Sequence, residues 1–122
     1  MNKVFSMIGL ATRAGKTVAG EFSVEKAVKD NKAKVVIVST ESSDNTKKLF
    51  ENKCKFYKIP VFIYGTKAEL GMATGNKERA SIAVLDPGFS KSIVKNILQK
   101  MKSRRQGHWL RILMILMSWM RL

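Results

Sequence analysis

The sequence offers few residues that could support catalysis. Its only thiol, Cys54, lies on the apolar side of a predicted helix, and its only histidine, His108, stands in an arginine-rich tail. We interpret the first as a small buried residue and the second as a solvated side chain. Carboxylates are sparse and form no acid/base pair, and one cysteine builds neither a disulfide nor a paired-cysteine metal site. The sequence therefore predicts no enzyme, metal or cofactor, in a reduced cytoplasmic chain without a signal peptide.

The tripeptide Gly15-Lys16-Thr17 invites comparison with a phosphate-binding loop, in which backbone N–H groups and a lysine hold phosphates. That motif requires a glycine five positions before its second glycine, and Leu10 occupies this position. The preceding segment also has the apolar spacing of a helix rather than of a strand. Nucleotide hydrolysis is therefore disfavoured.

Gly20 is more informative, because it lies between a predicted strand and a predicted helix. The free N–H groups and the dipole of a helix start can accept phosphate, and a glycine lets an RNA backbone approach closely. Lys16 and Lys26 are predicted to flank this position. An ordinary helix start with solvated lysines fits the spacing equally well.

Alternating helices and strands must position these residues. The β-branched run Val35-Val36-Ile37-Val38 is typical of a strand buried on both faces. Apolar spacing predicts helices over residues 3–13, 21–31, 44–59, 67–74 and 89–101, and strands over residues 16–19, 35–38, 61–64 and 81–85. This alternation predicts an α/β sandwich with helices on both faces of a central sheet.

The composition predicts a folded chain with a polyanionic partner. The chain has 122 residues, of which 45% are apolar and 26% charged, and this balance is typical of one globular domain. Its net charge is +14, and +8 of this excess belongs to residues 87–122. An excess of this size favours nucleic acid as the partner.

Several segments together resemble the kink-turn RNA-binding ribosomal protein superfamily typified by archaeal ribosomal protein L-seven-Ae. They are Gly20-Glu21-Phe22-Ser23-Val24-Glu25-Lys26-Ala27-Val28, Lys34-Val-Val-Ile-Val and Leu70-Gly71-Met72-Ala73-Thr74-Gly75. Three further segments resemble its bacterial YlxQ-type branch in particular. They are Gly9-Leu-Ala-Thr-Arg-Ala-Gly-Lys, Asp44-Asn-Thr-Lys-Lys and Asp86-Pro-Gly-Phe-Ser-Lys-Ser-Ile. The resemblance covers residues 3 to about 101. It implies a three-layer α/β/α sandwich, with a central mixed sheet of about four strands, that binds sharply bent RNA.

By position, the resemblance implies that Gly20 is the close-approach glycine and Lys26 the phosphate-contacting lysine, with Glu21 in the same RNA-binding segment. Where well-studied members place an Asn-Glu pair that hydrogen-bonds tandem G·A pairs, this chain has Phe22-Ser23. Phenylalanine has no hydrogen-bonding group and serine has one short hydroxyl, so neither offers the paired donors and acceptors. We therefore expect general RNA affinity with weakened kink-turn specificity.

Phe22 has two interpretations. The favoured one is a core residue or staple at the helix start, and the other is a platform for an unpaired base, a contact worth about 1–3 kcal/mol. The resemblance also implies a second loop, residues 75–80, that closes over the RNA. Lys77 and Arg79 are its candidate contacts, and one of the two is expected to be merely solvated.

The end of the chain departs from the family pattern, so we predict a domain over residues 1–102 and a basic, apolar tail over residues 103–122. Within residues 109–122 only Arg111, Ser118 and Arg121 are polar. This stretch is shorter than the roughly 20 residues that span a bilayer, which disfavours a membrane partner. Docking on the protein, self-association and a terminus produced by a changed reading frame all fit its composition.

Two functions of different classes remain. The first is a ribosomal-protein-like, non-catalytic RNA-binding protein whose partner is structured RNA, expected to be ribosomal. The alternative is a protein-interaction adaptor in the translation machinery that uses residues 109–122 for docking or self-association. Deleting residues 104–122 separates them: if RNA binding survives while a complex or oligomer is lost, the tail is an interaction element on an RNA-binding body.

Overall fold

The computed structural model describes residues 2–102, so His108 and the tail over residues 103–122 lie outside the described part of the chain. Helices and strands alternate as predicted. The elements are α1 (Lys3–Arg13), β1 (Thr17–Ala19), α2 (Glu21–Lys29), β2 (Val35–Val38), α3 (Asp44–Tyr57), β3 (Val61–Ile63), α4 (Lys67–Ala73), β4 (Ser81–Val84) and α5 (Pro87–Lys102). All predicted elements are present; α1 and β2 have the predicted bounds, and each end of the other elements lies within two residues of the predicted one.

The four strands form one mixed sheet in the order β1-β4-β2-β3. Strand β4 is antiparallel to both β1 and β2, and β2 is parallel to β3. Strands β1, β2 and β3 therefore run in one direction and end where β4 begins. Because α2, α3 and α4 start directly after these strands, three helices begin at this end of the sheet, which we call the helix-start end.

Two apolar cores pack on the two faces of the sheet. Val35 and Ile37 face the core shared with α1, α4 and α5, whereas Val36 and Val38 face the core shared with α2 and α3. All four side chains are fully buried. The prediction of a strand buried on both faces, and with it the three-layer α/β/α sandwich, is confirmed.

Local chemistry explains where the helices begin. The Asn2 side chain accepts the Val4 N–H at the start of α1 over 2.7 Å. The Ser43 hydroxyl accepts the Thr46 N–H at the start of α3, and Thr66 forms a reciprocal capping box at the start of α4. Each cap satisfies an N–H that has no partner inside the helix. Within residues 2–102, no helix has both the length and the apolar character to cross a membrane.

Candidate nucleic-acid interface

The helix-start end of the sheet brings together four chain segments. The Gly20 N–H donates to the Ser81 carbonyl over 3.0 Å, and the Ser39 N–H donates to the Ala80 carbonyl over 2.8 Å. The Thr40 N–H donates to the Gly65 carbonyl over 2.9 Å. These hydrogen bonds hold the first turn of α2 beside the loop that precedes β4. The two segments predicted to contact RNA therefore lie next to each other.

Gly20 follows β1 and is the N-cap residue of α2, in a backbone conformation that favours glycine. Its φ is 95° and its ψ is 149°, a region that residues with a Cβ rarely adopt. No side chain caps α2, whereas Ser43 and Thr66 cap the two neighbouring helices. The first N–H groups of α2 therefore lack both an intrahelical partner and a side-chain cap. They remain available to an anion at the positive end of the helix dipole.

Phe22 projects from this helix start into solvent. Its side chain is 83% exposed, so the favoured interpretation of Phe22 as a core residue or staple is wrong. The physical reason is helical geometry: the buried stripe of α2 consists of Val24, Ala27 and Val28, and position 22 lies on the other side of the helix. Lys26 is also exposed and lies four residues further on, on the same face as Phe22. An aromatic ring and an ammonium group thus share one exposed surface.

Glu21 and Ser23 complete the exposed first turn of α2. The Glu21 carboxylate lies where the helix dipole stabilises a negative charge. The Ser23 hydroxyl can donate one hydrogen bond and can also accept. The structure thus brings together four consecutive predicted site residues, 20–23, together with Lys26.

Lys16 does not join this group. Its N–H donates to the Ala11 carbonyl and its carbonyl accepts the Leu85 N–H, which places it where β4 ends. Gly20 lies four positions beyond Lys16 across the extended strand β1, about 13 Å away at the rise of a strand. The prediction that Lys16 flanks Gly20 is therefore wrong, because the two residues lie at opposite ends of β1.

The surroundings of Lys16 also exclude a phosphate-binding loop. Gly15 has a φ of 72° and follows the C-terminus of α1. The segment therefore leads from a helix into a strand, whereas a phosphate-binding loop leads from a strand into a helix. The position of Leu10 and the helix before Gly15 thus both differ from those of a phosphate-binding loop.

The second loop, residues 75–80, is fixed on α4. Its backbone passes so close to Gly71 that a Cβ on this glycine would lie 2.5 Å from the Lys77 carbonyl oxygen. The Asn76 N–H donates to the Gly71 carbonyl over 2.7 Å, and the Arg79 N–H donates to the Lys67 carbonyl over 3.1 Å. Gly71 belongs to one of the segments that resemble the family, and no sequence pattern indicates its role. The structure shows that it permits the close packing of this loop.

The two basic candidates in this loop differ in their surroundings. The Arg79 guanidinium donates to the Glu78 carbonyl over 3.2 Å and to the Asn76 side-chain oxygen over 3.1 Å. Its Nε is buried and has no hydrogen-bond partner among the described residues. Lys77 is exposed. Arg79 therefore organises the loop, while Lys77 presents its charge to solvent.

Other titratable groups are held in structural roles. Cys54 is fully buried, and burial raises the pKa of its thiol to about 12. A thiol that stays protonated at neutral pH is a poor nucleophile. The Glu25 Oε1 lies 3.1 Å from the Lys29 Nζ and 3.2 Å from the Lys53 Nζ. Hydrogen bonds from these two lysines lower the pKa of the Glu25 carboxyl.

Metal-binding chemistry finds no obvious place in the described part of the chain. Within residues 2–102, no three His, Cys, Asp or Glu side chains come together as potential ligands of a metal ion.

Comparison with known proteins supports an assignment to one family. The sequence matches the ribosomal protein L7Ae/L30e/S12e/Gadd45 family over residues 2–94. It is 38% identical over 90 residues to the RNA-binding protein YlxQ of Bacillus subtilis (strain 168), which covers 74% of this chain and 90% of that protein. It is 37% identical over 89 residues to the large ribosomal subunit protein eL30 of Neurospora crassa, which covers 68% of this chain and 78% of that protein.

Solved structures show the same fold. A protein with unknown function from Bacillus halodurans C superposes with a TM-score of 0.78 at 40% identity, covering 80% of this chain and 98% of that one. The Giardia lamblia 15.5kD RNA binding protein superposes with a TM-score of 0.66 at 15% identity, covering 76% of this chain and 80% of that one. At this lower identity the likeness shows the fold alone. With the family match spanning residues 2–94, the chain belongs to the ribosomal protein L7Ae/L30e/S12e/Gadd45 family.

Proposed function

We propose that this protein binds structured RNA of the kink-turn type at the helix-start end of its sheet. The observation that carries the proposal is the uncapped start of α2 at Gly20, held beside the fixed loop over residues 75–80. Two relatives that are 38% identical, from Bacillus subtilis and Enterococcus faecium, bear the name RNA-binding protein. Family membership and the local geometry thus support the same activity.

The RNA backbone is the expected ligand of the polar groups at this site. The free N–H groups at the start of α2 suit a phosphate, and the missing side chain of Gly20 allows close approach. The exposed ammonium groups of Lys26 and Lys77 supply charge on the two sides of the site. The Glu21 carboxylate can accept only, which suits a base amino group rather than a phosphate.

Base recognition is expected to depend on Phe22. Because its ring is 83% exposed, an unpaired base can stack on it without displacing core residues. Stacking contributes about 1–3 kcal/mol and tolerates any base. The Ser23 hydroxyl adds one hydrogen-bond donor and one acceptor oxygen. We therefore expect this protein to prefer bent RNA with unpaired bases and to discriminate weakly among base identities.

The proposed role is non-catalytic. Family membership agrees with it, as does the fully buried, protonated thiol of Cys54. A ribosomal or ribosome-associated RNA and a cytoplasmic location follow from the same proposal, because relatives include a ribosomal subunit protein. The adaptor alternative depends on residues 109–122, outside the described residues, and the comparisons supply no observation that favours it.

Salt-titrated binding to a kink-turn RNA, a straight duplex and a single strand tests the proposal. We expect the kink-turn RNA to bind most tightly and its affinity to fall steeply with salt. Lys26→Ala should weaken binding and reduce the slope of log affinity against log salt by about 1, because one phosphate contact is lost. Lys91→Ala is the matched control, since it removes an exposed charge from α5 on the other face of the sheet. Equal effects of both variants would contradict the proposed site.

Phe22→Ala tests the stacking contact separately. We expect it to weaken binding to RNA with unpaired bases by about 5- to 150-fold, the equivalent of about 1–3 kcal/mol, and to leave duplex binding unchanged. Phe56→Ala is the control, because Phe56 is 78% exposed on α3 and lies near the end of that helix. An unchanged affinity in Phe22→Ala would refute the stacking role.

A further inference from the structure

An open groove lies between α1 and α4, away from the proposed RNA contacts on α2. Its volume is about 450 Å³, and it is lined by one side of α1, by Met72 and Ala73 of α4, and by Thr74 and Gly75, which follow α4. Leu10 is 45% exposed and Met72 is 69% exposed. A partner that covered both side chains would remove their apolar surface from water.

The groove follows from the close packing of small residues. A Cβ on Gly9 would lie 3.5 Å from the Ala73 carbonyl oxygen, so α1 and α4 approach each other closely at this point. Leu10 and Met72 are the large, exposed apolar side chains of the lining. The groove is therefore built into the helix pair.

The sequence of the same chain contains an apolar segment of matching chemistry. Within residues 109–122 only Arg111, Ser118 and Arg121 are polar, and the remainder are Leu, Ile, Met and Trp. The proposed RNA site uses none of these residues.

The described part of the chain ends in α5, which packs in one core with α1, a helix that forms the groove. Helix α1 ends and α5 begins at the same end of the sheet, because Thr17 pairs with Val84, and both helices pack in one core. They therefore run in opposite directions, and α5 ends on the side where α1 begins. Residues 103–108 can span up to about 20 Å when extended, whereas neighbouring helix axes lie about 8–10 Å apart.

We propose that residues 109–122 of this chain dock in the groove between α1 and α4 and cover Leu10 and Met72. A short linker gives a tethered segment a local concentration of the order of millimolar, so it fills the groove before a second copy does in dilute solution. Arg13 is the charged residue of the lining, and the segment itself carries Arg111 and Arg121. The contact is therefore apolar and should persist in high salt.

Tryptophan fluorescence of the full chain tests this docking without RNA. The chain has two tryptophans, Trp109 and Trp119, and both belong to the proposed segment. In the wild type we expect blue-shifted emission and weak quenching by acrylamide in low and high salt. Met72→Lys and Leu10→Lys should shift the emission to the red and raise the quenching constant towards that of the denatured chain. Met72→Leu should retain the wild-type values.

Phe56→Lys is the matched control, because it places a lysine at an exposed aromatic position on α3, outside the groove. It should leave the emission unchanged, and circular dichroism verifies that each variant is folded. Three results would overturn the proposal: denatured-like tryptophans in the wild type, shielding that survives Met72→Lys in a folded protein, or shielding that disappears on dilution, as expected for a second copy. The groove shares only Gly75 with the proposed RNA site, and the fluorescence is measured without RNA, so failure of RNA binding would not alter these results.

Discussion

Replacing Gly20 by alanine tests how the start of α2 is built. At a φ of 95° and a ψ of 149°, a residue with a Cβ carries backbone strain of about 1–3 kcal/mol. A Cβ at this position would meet no atom within 4 Å, so steric contacts add nothing and the whole cost is conformational. For a domain of this size, we expect the unfolding midpoint to fall by about 4–24 °C.

Gly15→Ala is the matched control for this substitution. Gly15 also has a positive φ, 72°, and open space around its Cα, but it lies where β1 begins, at the opposite end of the sheet. Its left-handed conformation costs alanine about 1–2 kcal/mol. Both variants should therefore be destabilised in thermal unfolding followed by circular dichroism. Only Gly20→Ala should also lose affinity for RNA, measured by fluorescence anisotropy well below either midpoint.

Two results would refute this reasoning. A Gly20→Ala protein as stable as the wild type would mean that the positive φ is not required at the helix start. Equal changes in RNA affinity for Gly20→Ala and Gly15→Ala would mean that RNA does not approach the Gly20 backbone. Loss of stability with unchanged RNA affinity would separate the two, keeping the conformational argument and rejecting the binding site.

Three further predictions concern the buried residues. Gly71→Ala should lower the free energy of unfolding in urea by about 1–3 kcal/mol and weaken RNA binding, because its Cβ would overlap the Lys77 carbonyl. Ser81→Ala should raise the free energy of unfolding by about 1 kcal/mol, because the buried Ser81 hydroxyl has no partner among the described residues; a lower stability would show that the hydroxyl is bonded. Burial raises the pKa of the Cys54 thiol from 9.0 to about 12, so the stability this group contributes is complete below pH 9.0 and is lost as the pH rises towards 12. Between about pH 8 and about pH 10, urea unfolding should show the wild type losing about 1 kcal/mol more than Cys54→Ala, and equal losses would contradict the burial argument.

Much of the fold could be predicted from local sequence patterns. The run Val35-Val36-Ile37-Val38 predicted a doubly covered strand, and it lies in the centre of a sheet with a core on each face. Apolar spacing also predicted the helices, because each has one buried stripe. The order and direction of the strands depend on long-range pairing, and no local pattern specifies that β4 lies between β1 and β2.

The site was predicted less completely, for identifiable reasons. Gly20 lies at the start of α2 as expected, and Lys26 lies in its last turn on the exposed face that carries Phe22. Lys16 lies at the other end of β1, because an extended strand separates its two ends. Phe22 was assigned to the core from its apolar character, although its helical position relative to Val24 indicates exposure. The role of Arg79 could not be predicted, since it depends on how its loop folds back on α4.

The most direct test of the proposed RNA site is to follow backbone amide resonances of the ¹⁵N-labelled protein while a kink-turn RNA is added. We expect large shifts for the amides of residues 20–26 and 75–80 at the helix-start end. Amides at the opposite end, including Lys16 and Lys34, should be unaffected. Shifts concentrated at the opposite end, or absent from residues 20–26 while the RNA binds, would contradict the proposed RNA site.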